Sequence, residues 1–416
     1  MKKYVFKYLL LGFTFLQLSF VNAQQNRVLA WQEDIQAYQT GLEVKHIDVY
    51  NSVSKQDFES ELTRIKESVL EKTDFEIMLD LMRLTRRIGD GHTSVSLRNI
   101  ETHNYPFEVR FLEGHWRVVK VAKEHKNLLK TSLIKIEGIP INEVVSKVSE
   151  VAQFVENEYS EVIRTGEYIP MSELLYALHI TKNKNEAKFT FIDENKREIS
   201  LTLNPISNNT STKETDFEAL TISVPEITKP EDSKFDYLWY TPIKDTKAIY
   251  IKFKGYPSFD EMLAFGETLV GYIMANAHSK AVIDLRGNGG GDLYVGVVLA
   301  YALNLADTID WKNGVYIMCD HITFSAATSN TALFKRLLNG KVVGEPTGSN
   351  PTGYQDMATF ELPNSKLVIT YSKRYFKISD TVTQGVQPDV LLHYQWGSFA
   401  KGRDNMLHWV IQDLKK

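Results

Sequence analysis

The spacing of apolar residues changes twice along this chain, and each change predicts a different kind of element. Over residues 28–88 the spacing is helical: Trp31, Ile35 and Tyr38 share one face, as do Leu62, Ile65 and Val69, and then Ile77, Leu81, Leu84 and Ile88. Asp74 opens the run DFEIMLDLMRLTRRIG, and Gly89 is placed to close it as a C-cap. From about residue 105 to 204 short alternating runs take over (FEVRFL, HWRVVKVA, SLIKIEG, KFTFID, ISLTL) and predict strands, with helices over 141–155 and 169–179. From residue 247 strand and helix patterns alternate. KAIYIKF precedes the amphipathic FDEMLAFGETLVGYIMANA, KAVIDLR precedes the apolar DLYVGVVLAYALNL, and VYIMC precedes a helix opening at Ser325. KVVGE and the strand pair MATFEL and KLVITYSKRYF complete the series. Such alternation predicts an α/β domain with a largely parallel sheet and functional loops at the strand ends.

Between these regions, SNNTSTKETD (207–216) is polar and without period, and reads as a linker or loop. The segment LLKTSLIKIEGIPINEVVSKV has a strand, a turn at Gly138-Ile139-Pro140 and a helix opening. Small peptide-binding β-domains of the PDZ kind read this way, as do other β-rich modules. The expected division is an N-terminal signal (1–23), a helical region (24–100), a PDZ-like β-rich domain (101–206), a lead-in (207–246) and an α/β core (247–416).

Charge and composition narrow the function. A net charge of −4 over 416 residues argues against nucleic acid, which calls for a concentrated basic face. Lys2, Lys3 and Lys7, the apolar run 9–20 and Val21-Asn22-Ala23 before Gln24 have the order of a cleavable secretory signal. The run is short for a membrane span, so the expectation is a secreted or periplasmic protein with no stable membrane insertion once the signal is removed. Without a cysteine near the cut, a lipid anchor there is not expected. Cys319 is the single cysteine, which leaves no internal disulfide framework, and its apolar strand marks it as a packing residue.

Three features bear chemistry. Ser325 lies where a strand turns into a helix, followed by the small Ala326 and Ala327. A serine there has an exposed hydroxyl beside free helix N–H groups, although serine is also a common N-cap. The turn DLRGNGGGD (284–292) has four glycines in five positions and bare N–H groups; it lacks the spacing of a nucleotide-phosphate loop, and an oxyanion-binding turn needs only those donors. His92 sits in GDGHTSVSL, between a helix and a strand, while His321 lies four residues before Ser325 and competes with it. No H-E-x-x-H or paired His/Cys motif marks a metal site.

In this order and spacing, GDGHTSV, DLRGNGGG, TFSAA, VVGEPTG and GVQPDV resemble the S41 serine peptidase family. The likeness extends to Trp31-x-x-Asp34 and the segment from His46 to Tyr50. It implies a ClpP/crotonase-like catalytic domain, a peptide or unfolded-protein substrate and no cofactor. Carried over by motif, it implies Ser325 as nucleophile and an oxyanion hole from the N–H of Ala326 with that of Gly289 or Gly290. Processing peptidases of the family place a lysine base about 25 residues after the serine; here that segment is Thr347-Gly348-Ser349-Asn350-Pro351-Thr352-Gly353, without lysine, although Lys366 or Lys373 could fold back. The histidine of GDGHT matches the tricorn-type branch and implies His92 as base. Gly91 stands where that branch has a serine, and the orienting carboxylate is expected at Asp380, with Asp90 second and Asp389 a structural turn residue. An inactive relative that binds a peptide or apolar ligand is the alternative reading.

Overall fold

Caps set where the N-terminal helices begin. In the computed structural model, which describes residues 2–208, 216–379 and 383–416, α1 (Lys2–Lys45) is followed by α2 (Lys55–Ser68) and α3 (Asp74–Arg86). Ser54 caps α2, and Thr73 with Glu76 forms a capping box on α3. Trp31, Ile35, Tyr38, Leu62, Ile65, Ile77 and Leu81 are buried in one apolar cluster, as their spacing predicts. Gly89 follows α3 at φ 75, a left-handed angle suited to glycine.

The next region is β-rich. After β1 (Ser94–Ser96) and β2 (His103–Asn104) come β3 (Phe107–Leu112), β4 (His115–Ala122), β5 (Ser132–Ile136), β6 (Ile139–Pro140), α4 (Ile141–Ser149), α5 (Glu158–Tyr168), α6 (Ser172–Ala177), β7 (Ala187–Ile192), β8 (Glu198–Leu203), β9 (Ile206–Ser207) and β10 (Phe217–Ala219). Strands β10-β4-β5-β7-β8 form a sheet, with β3 on β4 and β6 on β5. The predicted helix over 141–155 stops at Ser149, and the one over 169–179 is only the short α6. Helix α5, which apolar spacing does not reveal, is started instead by Asn157, whose Oδ1 accepts from the N–H groups of Tyr159 and Ser160. One apolar core joins this sheet to α1–α3, so Phe189 and Leu133 share a cluster with Tyr38 and Leu81.

The last region alternates strand and helix as expected: β11 (Leu238–Pro242), β12 (Ala248–Phe253), α7 (Phe259–Ala275), β13 (Lys280–Asp284), α8 (Leu293–Leu303), β14 (Val315–Cys319), α9 (Ala326–Leu337), β15 (Lys341–Gly344), the hairpin β16 (Thr352–Glu361) and β17 (Val368–Lys377), β18 (Val390–Leu391), α10 (Trp396–Phe399) and α11 (Asn405–Leu414). The sheet order is β11-β12-β13-β14-β15-β18, parallel from β12 onward. Side chains on one face (Ile249, Ile283, Ile317) pack with α7–α9, and those on the other (Tyr250, Val282, Met318) pack with α11. Covering on both faces explains why these strands read as continuous apolar runs. Hairpin β16–β17 leaves this sheet and takes β1 as its third strand, pairing Ser94 with Thr370 and Val95 with Ile369. That pairing brings residues 90–93 to the C-terminal region.

The Asp284-Leu285-Arg286 end of β13 is pinned from below. The Arg286 guanidinium donates to both carboxylate oxygens of Asp404 at 2.9 and 2.7 Å and to those of Asp284 at 2.9 and 2.8 Å. All three side chains are buried, and Tyr250 also donates to Asp284 at 2.6 Å. Removing the cation would leave two carboxylates buried without it. Arg286→Ala is therefore expected to cost about 3–5 kcal/mol in urea unfolding; a loss under about 1 kcal/mol would contradict this assignment.

Candidate active site

Backbone strain marks the turn at Ser325. Asp320 Oδ1, just after β14, accepts from the N–H groups of Gly287, Ile322 and Thr323 at 3.0, 3.1 and 3.2 Å, folding the turn back on the glycine loop. Directly after Thr323, Phe324 N–H donates to the Asn288 carbonyl at 3.0 Å. Ser325 then has φ 53 and ψ −128 and caps α9 without a side-chain cap bond. Such an angle costs a non-glycine residue about 1–3 kcal/mol and needs surroundings that enforce it. Here Ser325 N–H donates to Ser349 Oγ at 2.7 Å, and Ser349 Oγ donates in turn to Thr328 Oγ1 at 2.8 Å. The segment that lacks a lysine thus serves to hold the serine.

The glycine loop has two separate tasks. Gly290 has φ 106, and a Cβ there would sit 2.6 Å from Ser325 Cβ and 3.0 Å from the Phe324 carbonyl oxygen. Its own N–H donates to Asn288 Oδ1 at 2.9 Å, so it is committed and not an oxyanion donor. Among the described residues the N–H groups of Gly289 and Ala326 have no hydrogen-bond partner. Of the two glycines that the resemblance allows, Gly289 is the one left with a donor to offer beside Ala326.

His92 arrives from the other end of the chain. Its Nε2 lies 2.9 Å from Ser325 Oγ, across 233 positions of sequence. The ring is buried, packs against Phe324 at 5.3 Å between centroids, and its backbone carbonyl accepts from Thr370 Oγ1 at 2.7 Å. Burial pushes the imidazole below its usual range; the Asp90 charge opposes this without overcoming it. A neutral ring is what a proton acceptor needs.

Two carboxyls face Nδ1, Asp90 Oδ1 at 3.9 Å and Glu156 Oε2 at 3.8 Å, both beyond direct hydrogen-bond reach. Asp90 is well provided with donors: His92 N–H at 2.9 Å, Thr93 Oγ1 at 2.5 Å and His46 Nε2 at 3.0 Å. His46 Nδ1 accepts from Asp48 N–H at 2.9 Å, which fixes the tautomer with Nε2–H aimed at Asp90. Burial pushes the Asp90 carboxyl up, but the bond from His46 and its other donors outweigh burial and keep it below its ordinary range. Glu156 goes the other way. Burial, then the nearby Asp90 charge, hold it well above the carboxylate range, against one N–H from Asn350 at 3.2 Å. The two acids are split into an anion and a neutral group.

Glu156, in the loop before α5, is the site residue that sequence reading missed. A usable signal was Gly91. A Cβ at that position would meet Glu156 Cβ at 2.6 Å and Glu156 Oε2 at 3.0 Å, so glycine makes room for this acid. Asp380 lies outside the described residues. Asp389 accepts from Val342 N–H at 2.9 Å and pairs with Lys335 at 2.5 Å, away from His92, in line with a turn role. His321 is not the partner of Ser325: its Nδ1 lies 2.9 Å from the Pro346 carbonyl and its ring stacks on Tyr159 at 4.9 Å. Neither lysine folds back, since Lys373 pairs with Asp356 at 3.1 Å and Lys366 with Glu361 at 3.5 Å. Cys319 is buried in its strand, as its neighbours predict.

Ser325 and His92 open into a cleft of about 690 Å³ that also contains Arg98, Arg164, Arg374 and Phe376. Residues 300–392, which carry the serine and its supporting loop, match the family model of Peptidase family S41. The fold of the chain is similar to that of mature CPAF, with a TM-score of 0.69 at 12% identity over 94% of this chain and 97% of that one. Mature CPAF complexed with lactacystin gives 0.66 at 11% identity, covering 94% and 98%. Among curated proteins none matches this sequence. Because Gly290 leaves no space for a side chain beside Ser325, Gly290→Ala is expected to displace the hydroxyl and lower kcat by roughly 10²-fold on any peptide the protein cleaves. An unchanged kcat in steady-state assays would refute that role.

Proposed function

We propose that this chain is an exported serine peptidase of the S41 kind that hydrolyses peptide bonds of peptides or unfolded proteins, with Ser325 as nucleophile and His92 as general base. The observation that carries the reading is the 2.9 Å contact between His92 Nε2 and Ser325 Oγ. A neutral His92 takes the hydroxyl proton as Oγ attacks the substrate carbonyl carbon. The tetrahedral oxyanion is met by the free N–H groups of Ala326 and Gly289, donors that contribute about 10²–10³-fold in such sites. The imidazolium then gives its proton to the leaving amine nitrogen, and the acyl–Ser325 ester is hydrolysed by water that His92 deprotonates. Asp90, held ionised, supplies the negative charge that stabilises the imidazolium; neutral Glu156 packs beside it. In this reading the sheet of β11–β15 and β18 is a ClpP/crotonase-like core, and the β-rich region with α4 is a PDZ-like module on which peptide rests. The order of charged, apolar and small residues over 1–23 supports export to the periplasm or medium.

Peptide-library hydrolysis tests the roles. Ser325→Ala and His92→Ala should each abolish cleavage while circular dichroism and unfolding midpoints stay near wild type, whereas His321→Ala should retain activity. Cleavage by Ser325→Ala at the wild-type rate ends the proposal. The pH dependence follows from the direction of the His92 shift. A protonated ring cannot accept a proton, and burial keeps the ring neutral to lower pH, so the acid limb of kcat/KM should lie below the ordinary imidazole value of about 6.5. A limb at about 7 or above would contradict a buried neutral base.

A further inference from the structure

A second cluster of chemistry-bearing side chains lies at the edge of the parallel sheet and plays no part in the proposed hydrolysis. Strands β14, β15 and β18 are neighbours, and their register places Cys319, Gly344 and Leu391 in one row. Just past that row, each strand delivers one donor: His321, Glu345 and His393. The C-terminal ends of parallel strands are where open α/β sheets commonly bind ligands.

The three donor atoms all lie within 4.8 Å of one another. His393 Nδ1 is 3.3 Å from Glu345 Oε1, and His321 Nε2 is 3.9 Å from Glu345 Oε2. Ligand bonds of about 2.0–2.1 Å around a tetrahedral ion separate neighbouring ligands by about 3.3 Å. The His393–Glu345 pair is already at that spacing, and the other two pairs, all within 4.8 Å, close with small side-chain movements. The His321 tautomer is set for the task. Its Nδ1 faces the Pro346 carbonyl at 2.9 Å, so the proton sits there and the Nε2 lone pair points toward Glu345. This is the outer-shell hydrogen bond that metal-binding imidazoles usually make. Glu345 is anchored by its N–H on the Cys319 carbonyl at 3.1 Å, and its carboxylate is 8% exposed. His393 is 62% exposed and free to adjust, while Asn405 Nδ2 holds its backbone carbonyl at 2.9 Å.

We propose that His321, Glu345 and His393 form a three-ligand site for a divalent transition ion of the zinc class, with the fourth position open to solvent. Two imidazoles and one carboxylate favour such an ion over calcium or magnesium, which prefer all-oxygen shells. The bound ion would tie together three strand ends, one of which runs directly into the turn carrying Ser325. The site stands or falls independently of the catalytic reading.

Zinc titration of the tag-free, chelator-treated full-length protein by isothermal calorimetry tests it. One equivalent of Zn²⁺ should bind, and His393→Ala and Glu345→Gln should each weaken binding by about tenfold or more. His179→Ala, an exposed histidine elsewhere, should bind as wild type does. Because His393 is largely exposed, its replacement leaves the fold intact and keeps the test decisive. Co²⁺ in place of zinc should show visible ligand-field bands that His393→Ala loses. No zinc binding by the wild type, or equal binding by the His393→Ala variant, overturns the site and leaves an ordinary His–Glu ion pair.

Discussion

Everything in this molecule that bears on chemistry depends on holding an imidazole from residue 92 against a hydroxyl from residue 325. Neither group reaches the other through its own local structure. The His92 turn is carried by β1, which pairs with β17 rather than with the β-rich region that follows it in sequence. Thr370 on β17 binds the His92 carbonyl, and Ser94 lies 2.8 Å from the same threonine hydroxyl. Ser325 is carried by the junction of β14 and α9, and the chain that continues through Ser349 into β16 holds its N–H. The hairpin is therefore the clamp: one end secures the serine and the other secures the histidine.

Electrostatics around the ring follow from how each acid is solvated by the protein. Asp90 collects donors from His46, Thr93 and the His92 backbone, and so stays charged in a buried place. Glu156 has one backbone donor and an anion for a neighbour, and so holds its proton. The linkage signs differ accordingly. Asp90, with its pKa lowered, contributes stability above its unfolded pKa that is lost as pH falls through the folded value. Glu156, with its pKa raised, favours the folded state fully only below its unfolded pKa and weakens it as pH rises toward the folded one. A buried acid with a raised pKa, lodged beside the His92 ring, fits a site where stability yields to chemistry.

Local patterns were enough to read most of the architecture. The continuous apolar strands, the capped helices and the strand-to-helix turn at Ser325 all follow from period and end signals that lie within a few residues of each other. Spacing placed His92 only in a turn between a helix and a strand; the resemblance of GDGHT to the tricorn-type motif is what singled it out. What could not be read was anything decided by contact between distant segments. Helix α5 begins on an asparagine cap and buries Ser160, Thr165 and Gly166 rather than large apolar residues, so apolar periodicity passes over it. Glu156 lies in an unremarkable loop, and only the space beside Gly91 betrays it. The split between Gly289 and Gly290 depends on where the Asn288 side chain lies, which no motif encodes. His393 and His321 belong to different strands, and only the sheet order makes them neighbours.

The most direct measurement of the central claim is covalent labelling with a fluorophosphonate, followed by peptide mass spectrometry. A paired hydroxyl and neutral imidazole predict one adduct, on Ser325, with a labelling rate that falls by about 10²-fold or more in His92→Ala. A wild-type protein that takes no label on Ser325, or one whose labelling rate is indifferent to His92, would contradict the account.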